Sequence, residues 1–213
     1  TFDLTTAGTP TGGSSVPEGI ALPAGQYLIT EDDPSAGGWT LTDIQCTESV
    51  TTDSLVDIDN RTILLNVQSG EEIACEVTNT KDGTLIIEKQ TLPDGDSADF
   101  VFSGDLAGTL SDGESLTLSD NFTAAVTSDE TVTGGWELTD ITCTGGTGAS
   151  TIAIGGTDSF NPFDSDVSVL PAPGETVTCV YTNTKAAGLT IVKHVTALTT
   201  TDPVVLDFGF TSN

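Results

Sequence analysis

The sequence predicts an all-β chain made of tandem antiparallel β-sandwich domains, and three observations lead there. Apolar and polar residues alternate with a period of two in GESLTLS (113–119), WELTDITC (136–143) and ETVTCVYTN (175–183). That period marks half-buried strands, and no stripe of helical period is sustained anywhere. Clusters of Gly, Pro, Asp and Asn (EDDPSAGG, LPDGDSAD, GGTGAS, SFNPFDSD) separate the runs at the spacing of sandwich turns. The chain also repeats itself. GWTLTDIQCT (38–47) returns as GWELTDITCT (135–144), and EEIACEVTNTKDGTLIIEKQT (71–91) returns as ETVTCVYTNTKAAGLTIVKHVT (175–196).

The repeat fixes the domain plan. Phe100 and Phe102 (DFVFSG) recur as Phe208 and Phe210 (DFGFTS), and more weakly as Phe2 and Leu4 (TFDLTT). Steps of about one hundred residues are domains rather than solenoid repeats. Each unit opens on an apolar strand, LIIEK (85–89) or LTIVK (189–193), and closes on a cysteine-bearing strand. The plan is a first sandwich over 1–82 without its opening strand, a complete sandwich over 83–186, and opening strands of a third unit over 187–213. Two readings stay open. The chain is a window on a longer array, or its last strands complete the first domain of a neighbouring molecule by strand donation. The junctions NTKDGTL (79–85) and NTKAAGL (183–189) are short, so a semi-rigid rod is expected.

Thirty-two acidic residues stand against five basic ones, for a net charge of −27. No basic patch for a nucleic-acid backbone can be assembled from that inventory, and attraction to anionic lipid is excluded on the same ground. No apolar run is long enough to insert into a membrane. The acidity fits a solvated, mutually repelling surface, a high-salt habitat, or carboxylates bridged by Ca²⁺.

The four cysteines fall two per unit at matching places, Cys46 with Cys75 and Cys143 with Cys179. An even, copy-matched count favours one disulfide inside each domain, worth roughly 3–4 kcal/mol on the chain-entropy model. Zinc is the alternative, but there is no C-x-x-C pair and the single histidine, His194, lies outside both cysteine pairs. Disulfides place the protein outside the cytoplasm. Asn60 (NRT) and Asn121 (NFT) are sequons for N-glycosylation.

GQYLITE (25–31), then GW-x-LT-x-I-x-C, then C-x-V/Y-TNTK, then G-x-L-x-I-x-K together resemble the prealbumin-like domains of prokaryotic surface proteins, of the SpaA and collagen-adhesin B types. The resemblance covers most of the chain. It implies a transthyretin- or immunoglobulin-like sandwich and a role in stalks, pilins or surface fibres. It also implies a self-made isopeptide bond, in which a first-strand Lys attacks a last-strand Asn while a buried Glu moves the protons. Lys89 and Asn183 stand in those positions. Glu31 occupies the position of the Glu in the first copy. In the second copy the aligned residue is Ser128, with Asp129 and Glu130 beside it. The bland alternative makes Lys89 an exposed strand residue and Asn183 a turn or edge residue.

Other constellations are weaker. One histidine in the chain excludes a His-based triad in each copy, so no enzyme is expected. Asp94, Asp96 and Asp99 sit in one loop with enough oxygen to hold Ca²⁺, yet a solvated turn explains them as well. No other metal or cofactor is expected. Trp39 and Trp136 occupy matching places and are expected in the core against the disulfide. The chain therefore reads as a structural repeat module of an extracellular surface filament or stalk, with other copies of itself as partner. The alternative is an adhesin whose ligand-binding loop is 145–174, which carries Phe160, Pro162 and Phe163.

Overall fold

The computed structural model describes residues 22–188. Strands β1 to β5 belong to the first unit: Gly25–Thr30, Trp39–Glu48, Leu55–Asp57, Thr62–Val67 and Ile73–Lys81. Strands β6 to β14 form the second: Gly83–Leu92, Phe100–Gly104, Gly108–Leu110, Ser115–Asp120, Val126–Thr131, Trp136–Gly145, Thr151–Ile154, Asp166–Leu170 and Thr176–Lys185. One short 3-10 turn, Ser35–Gly37, is the only helical element among the described residues.

The second unit is a two-sheet sandwich. One sheet runs β12-β13-β10-β7-β8 and the other β11-β14-β6-β9. Every pairing is antiparallel except β6 with β14, the unit's first and last strands, which run parallel over nine residue pairs from Thr84↔Thr176 to Leu92↔Thr184. Alternation sets what faces inward. β6 buries Leu85, Ile87, Lys89 and Thr91; β14 buries Val177, Cys179, Tyr181 and Asn183; β10 buries Val126, Ser128 and Glu130. Phe100 and Phe102 of β7 meet them from the facing sheet. Phe102 stands edge-on to Tyr181 at 5.1 Å between ring centres, and Phe100 edge-on to Trp136 at 5.5 Å, the geometry that aromatic quadrupoles prefer.

The first unit repeats the pattern in the part described. β1-β4-β3 form one sheet and β2-β5 the other. β2 and β11 carry a bulge at the same place, between Leu41 and Asp43 and between Leu138 and Asp140. Both predicted disulfides are present, Cys46–Cys75 and Cys143–Cys179. Each joins residues directly opposite on adjacent antiparallel strands, with Cα atoms 4.0 Å apart. The Phe-x-Phe counterpart at Phe2 and the whole of 189–213 lie outside the described residues.

The join between the units is shorter than the repeat suggested. Only Asp82 separates β5 from β6. Its amide donates to the Gly38 carbonyl at 3.0 Å, and its carbonyl accepts from the Gly174 amide at 3.2 Å. Its carboxylate takes the Thr40 hydroxyl at 2.7 Å. Residue 82 is thus held by both units. Gly83 is required next: a Cβ there would sit 2.9 Å from both the side chain and the carbonyl of Pro171.

The tryptophans depart from expectation in one respect. Trp136 is buried, but its partner is Phe100, with the Lys185 ammonium 5.2 Å from its ring centre. Trp39 is only half-buried and carries Lys81 over its ring at the same distance. Each ring lies at the strand end, where the lysine of TNTK can cover it.

Tyr181 ties the two sheets of the second unit together, because its buried hydroxyl donates to the Ser128 carbonyl at 2.8 Å. Tyr181→Phe should destabilise the second unit by about 1–2 kcal/mol, the cost of a lost buried hydrogen bond, in denaturant unfolding. An unchanged midpoint would show that the cross-sheet bond contributes nothing.

Candidate crosslinking site

Three inward positions on three strands meet at one point of the second unit. Lys89 follows Leu85 and Ile87 at alternate positions of β6, so the period that buries those residues buries the lysine too. Asn183 follows Cys179 and Tyr181 on β14 in the same way. In the parallel register Lys89 lies opposite Tyr181 and Thr91 opposite Asn183, which makes Lys89 and Asn183 diagonal neighbours on one face. Glu130 is the inward residue of β10 on the other sheet.

The contacts are direct. Lys89 Nζ donates to Asn183 Oδ1 at 2.8 Å, to the Tyr181 carbonyl at 2.9 Å and to the Gln90 carbonyl at 2.8 Å. Asn183 Nδ2 donates to Glu130 Oε1 at 2.6 Å. Glu130 Oε2 lies 3.7 Å from Lys89 Nζ and has no hydrogen-bond partner. The Lys89 and Glu130 side chains are fully buried, and Nζ sits 4.3 Å from the centre of the Phe100 ring. The reading of Lys89 as an exposed residue and Asn183 as a turn or edge residue is therefore overturned. Both are 0 % exposed, because the β6–β14 pair runs through the middle of its sheet.

Burial sets the electrostatics. Desolvation pulls Lys89 down from 10.5 to about 8, against the opposing pull of the Glu130 carboxylate. Desolvation also pushes Glu130 above the usual carboxylate range, with Lys89 opposing. Both shifts move the pair toward its neutral form, in which the amine keeps only two of its three donated bonds and exposes a lone pair while the carboxyl holds a proton. A neutral amine is the nucleophile that attack on an amide carbon requires. The single carboxyl group reaches both ends of such a reaction, with Oε2 toward the amine and Oε1 on the amide nitrogen that would leave.

The third member is the one the sequence misplaced. Counting back from the Gly-Gly-Trp motif puts Ser128 at the position of Glu31. The structure puts Glu130 there instead, since Glu31 Oε1 holds Asn79 Nδ2 at 2.6 Å as Glu130 holds Asn183. Trp39 comes eight positions after Glu31, but Trp136 only six after Glu130; the first unit uses the extra length for its 3-10 turn. A two-residue offset keeps the same strand face, so Ser128 is also buried, and its hydroxyl donates to the Leu106 carbonyl. The usable signal was an acidic residue at an inward alternate position of β10.

The remaining candidates are not drawn together. Asp96 pairs with Lys185 at 2.6 Å and Asp99 accepts from Ser111 at 3.0 Å. No cluster of three or more His, Cys, Asp or Glu forms among the described residues, so Asp94, Asp96 and Asp99 are not brought together. Asn60 is exposed in the β3–β4 turn with its amide on Asp57, and Asn121 is half-buried after β9. Phe163 is fully exposed, with a φ of 85°.

No curated protein and no solved structure matches the chain. The model of one family, described as a prealbumin-like fold domain of the SpaA type, matches twice, over residues 1–81 and 85–185. Those two stretches together span most of the sequence and part at the Asp82 junction. The chain belongs to the SpaA-type prealbumin-like domains, in two tandem copies.

Proposed function

We propose that this chain is a tension-bearing structural module of an extracellular surface filament or stalk, and that Lys89 and Asn183 of the second unit join by an isopeptide bond. The observation that carries the reading is the buried Lys89–Asn183–Glu130 contact, on a family background of surface-protein modules.

The chemistry balances without a cofactor. Neutral Lys89 Nζ attacks Asn183 Cγ, and a new C–N bond forms. Glu130 accepts the Nζ proton at Oε2 and donates a proton from Oε1 to Asn183 Nδ2. The old C–N bond breaks, ammonia leaves, and Glu130 ends as it began, protonated. Water, the competing nucleophile, is kept out because all three side chains are buried.

Topology makes the bond mechanical. Tension along the array enters the second unit at β6 and leaves at β14. These strands are adjacent and parallel, so pulling on opposite ends shears all their hydrogen bonds at once rather than unzipping them singly. A covalent link from 89 to 183 then lets the force bypass everything between. The Cys143–Cys179 bond and the one-residue junction at Asp82 act in the same sense.

A second reading has one observation behind it. Phe163, fully exposed at the tip of the β12–β13 loop, suits a surface that binds a ligand or a neighbouring filament subunit. Phe163→Ser should leave unfolding unchanged while weakening adhesion or lateral bundling. If neither is weakened, the loop has no such role.

Stretching single molecules tests the main reading. The wild-type second unit should give no long unfolding step. Glu130→Gln, which keeps the Asn183 contact but cannot shuttle a proton, should release the roughly 65 residues that lie outside the closed Cys143–Cys179 loop, at ~3.5 Å each, roughly 230 Å. A full-length step in the wild type contradicts the proposal.

The unlinked Glu130→Gln unit should also respond to pH in a definite direction. Removing the carboxylate takes away the main influence that opposes desolvation and leaves only the weaker pull of Asp112, so the folded pKa of Lys89 falls further below the unfolded 10.5. Between those two values the unfolded chain binds a proton that the folded one does not. Stability therefore rises with pH across the window, and the penalty is greatest below the folded pKa. The melting temperature should climb from about pH 7 to about pH 10; a flat or falling profile would contradict a desolvated lysine.

A further inference from the structure

Between the two units the chain has a single residue of slack. β5 ends at Lys81 and β6 begins at Gly83, so only Asp82 belongs to neither strand. One residue carries two soft backbone dihedrals, and the bonds on either side of Asp82 bear on both. Its amide extends the β2–β5 ladder by one bond, to the Gly38 carbonyl. Its carbonyl accepts from Gly174, in the turn between β13 and β14 of the second unit. That turn is pinned in its own right to the start of β6, where the Thr84 amide donates to the Glu175 carbonyl at 2.9 Å.

Side chains tighten the same place. The Lys81 ammonium folds back onto the first unit and donates to the Gly37 carbonyl at 2.6 Å. The stem of Lys81 lies against the turn of the second unit, where a Cβ on Gly174 would sit 3.3 Å from Lys81 Cγ. Gly70, the matching glycine of the first unit, meets nothing within 4 Å among the described residues. The close approach at Gly174 therefore belongs to the junction and not to the turn. The Asp82 carboxylate reaches the other way, to the Thr40 hydroxyl on β2 at 2.7 Å. Asp82 is thus tied to the second unit by its carbonyl and to the first by its amide and its carboxylate.

The repeat shows which of these ties is particular to this place. After the second unit, Ala186 stands where Asp82 stands, and its amide donates to the Gly135 carbonyl at 2.8 Å, the same backbone bond. Alanine offers no acceptor in its side chain, and Glu137 stands where the first unit has Thr40. A closing strand therefore forms without the hydroxyl–carboxylate bond, and that bond serves something other than the fold of one unit.

We infer that Asp82 is a locked joint: its bond to Thr40 holds residue 82 in the conformation that seats the β13–β14 turn on the end of β5, so that the two units move as one rigid segment. The half-buried backbone bonds at residue 82 compete with water. The side-chain bond fixes the same residue from a second direction and leaves it no alternative conformation. Without it the joint becomes a hinge. The lock sets the direction in which β5 hands tension to β6. It needs no covalent link, so it stands apart from the crosslinking reading.

Residual dipolar couplings of the weakly aligned full chain test the joint, with each unit's couplings fitted separately. In the wild type, residues 22–82 and 83–185 should share one alignment tensor. Asp82→Ala removes the acceptor and Thr40→Val removes the donor at nearly constant shape; in each, the common tensor should be lost while each unit still fits its own fold. Asp82→Asn keeps an Oδ1 acceptor for the Thr40 hydroxyl and should keep the single tensor. Two tensors in the wild type or in Asp82→Asn overturn the inference, as does one shared tensor in Asp82→Ala or Thr40→Val. A variant whose first unit no longer fits its own fold is set aside, and the other then decides. None of these outcomes bears on the Lys89–Asn183 link, which is read by mass.

Discussion

The parallel pairing of the second unit's first and last strands is the constraint from which the rest follows. Parallel neighbours need a long crossover, and here the crossover is the whole domain: β7 to β13 lie between β6 and β14 in sequence. That arrangement seats both chain ends of the unit on one sheet, where tension between them would act in shear. It also sets Lys89 and Asn183 on one inward face, two residues out of register, under a carboxyl from the opposite sheet. Neither burial nor proximity was arranged separately. A strand that buries Leu85 and Ile87 buries residue 89 at no further conformational cost, since the pleat dictates it.

Much of this was legible in the sequence for the same reason. Period-2 alternation and duplicated GW-x-LT-x-I-x-C and TNTK segments gave strands, units and cystines, because a strand's face is a local property. The Asp82 junction was visible as the short step from TNTK to the next apolar strand. What sequence spacing could not supply was register across a turn of variable length. Two additional residues before Trp39 shifted the alignment of Glu31 onto Ser128 instead of Glu130. The face was right and the residue wrong, as expected when a period-2 pattern fixes parity but not position. The tryptophans miss for a related reason. Their partners, Phe100 for Trp136 and Lys81 for Trp39, come from strands whose register the local pattern does not encode.

The two units illuminate each other. They share the bulge, the cystine, the Glu–Asn contact and a glutamate just ahead of the last strand that binds the loop following the Gly-Trp strand. Glu71 holds Thr51, and Glu175 holds Ser150 and Thr147, with the Ser150 hydroxyl chiefly responsible for drawing the Glu175 carboxyl down to about 2. Among the described residues they differ in whether a lysine-bearing strand covers the last strand. Where it does, Asn183 and Tyr181 are sealed and every atom but one carboxyl oxygen of the site is engaged. In the first unit, where none does among the described residues, Val77 is 41 % exposed and Glu31 Oε2 and Asn79 Oδ1 have no donor. On the proposed reading the strand and the crosslink are one device, since the strand that completes the sheet would also deliver the nucleophile and exclude water from it.

The most direct test of this account is the mass of the purified chain under denaturing, reducing conditions, followed by a search of its digest for a branched peptide. The account predicts a wild-type chain lighter than its sequence by one ammonia for the second unit, with Lys89 joined to Asn183, and a Glu130→Gln chain at the full sequence mass for that unit. A wild-type chain whose Lys89 and Asn183 peptides are both recovered unlinked would contradict it, and the buried triad would then be an ion-pair network without chemistry.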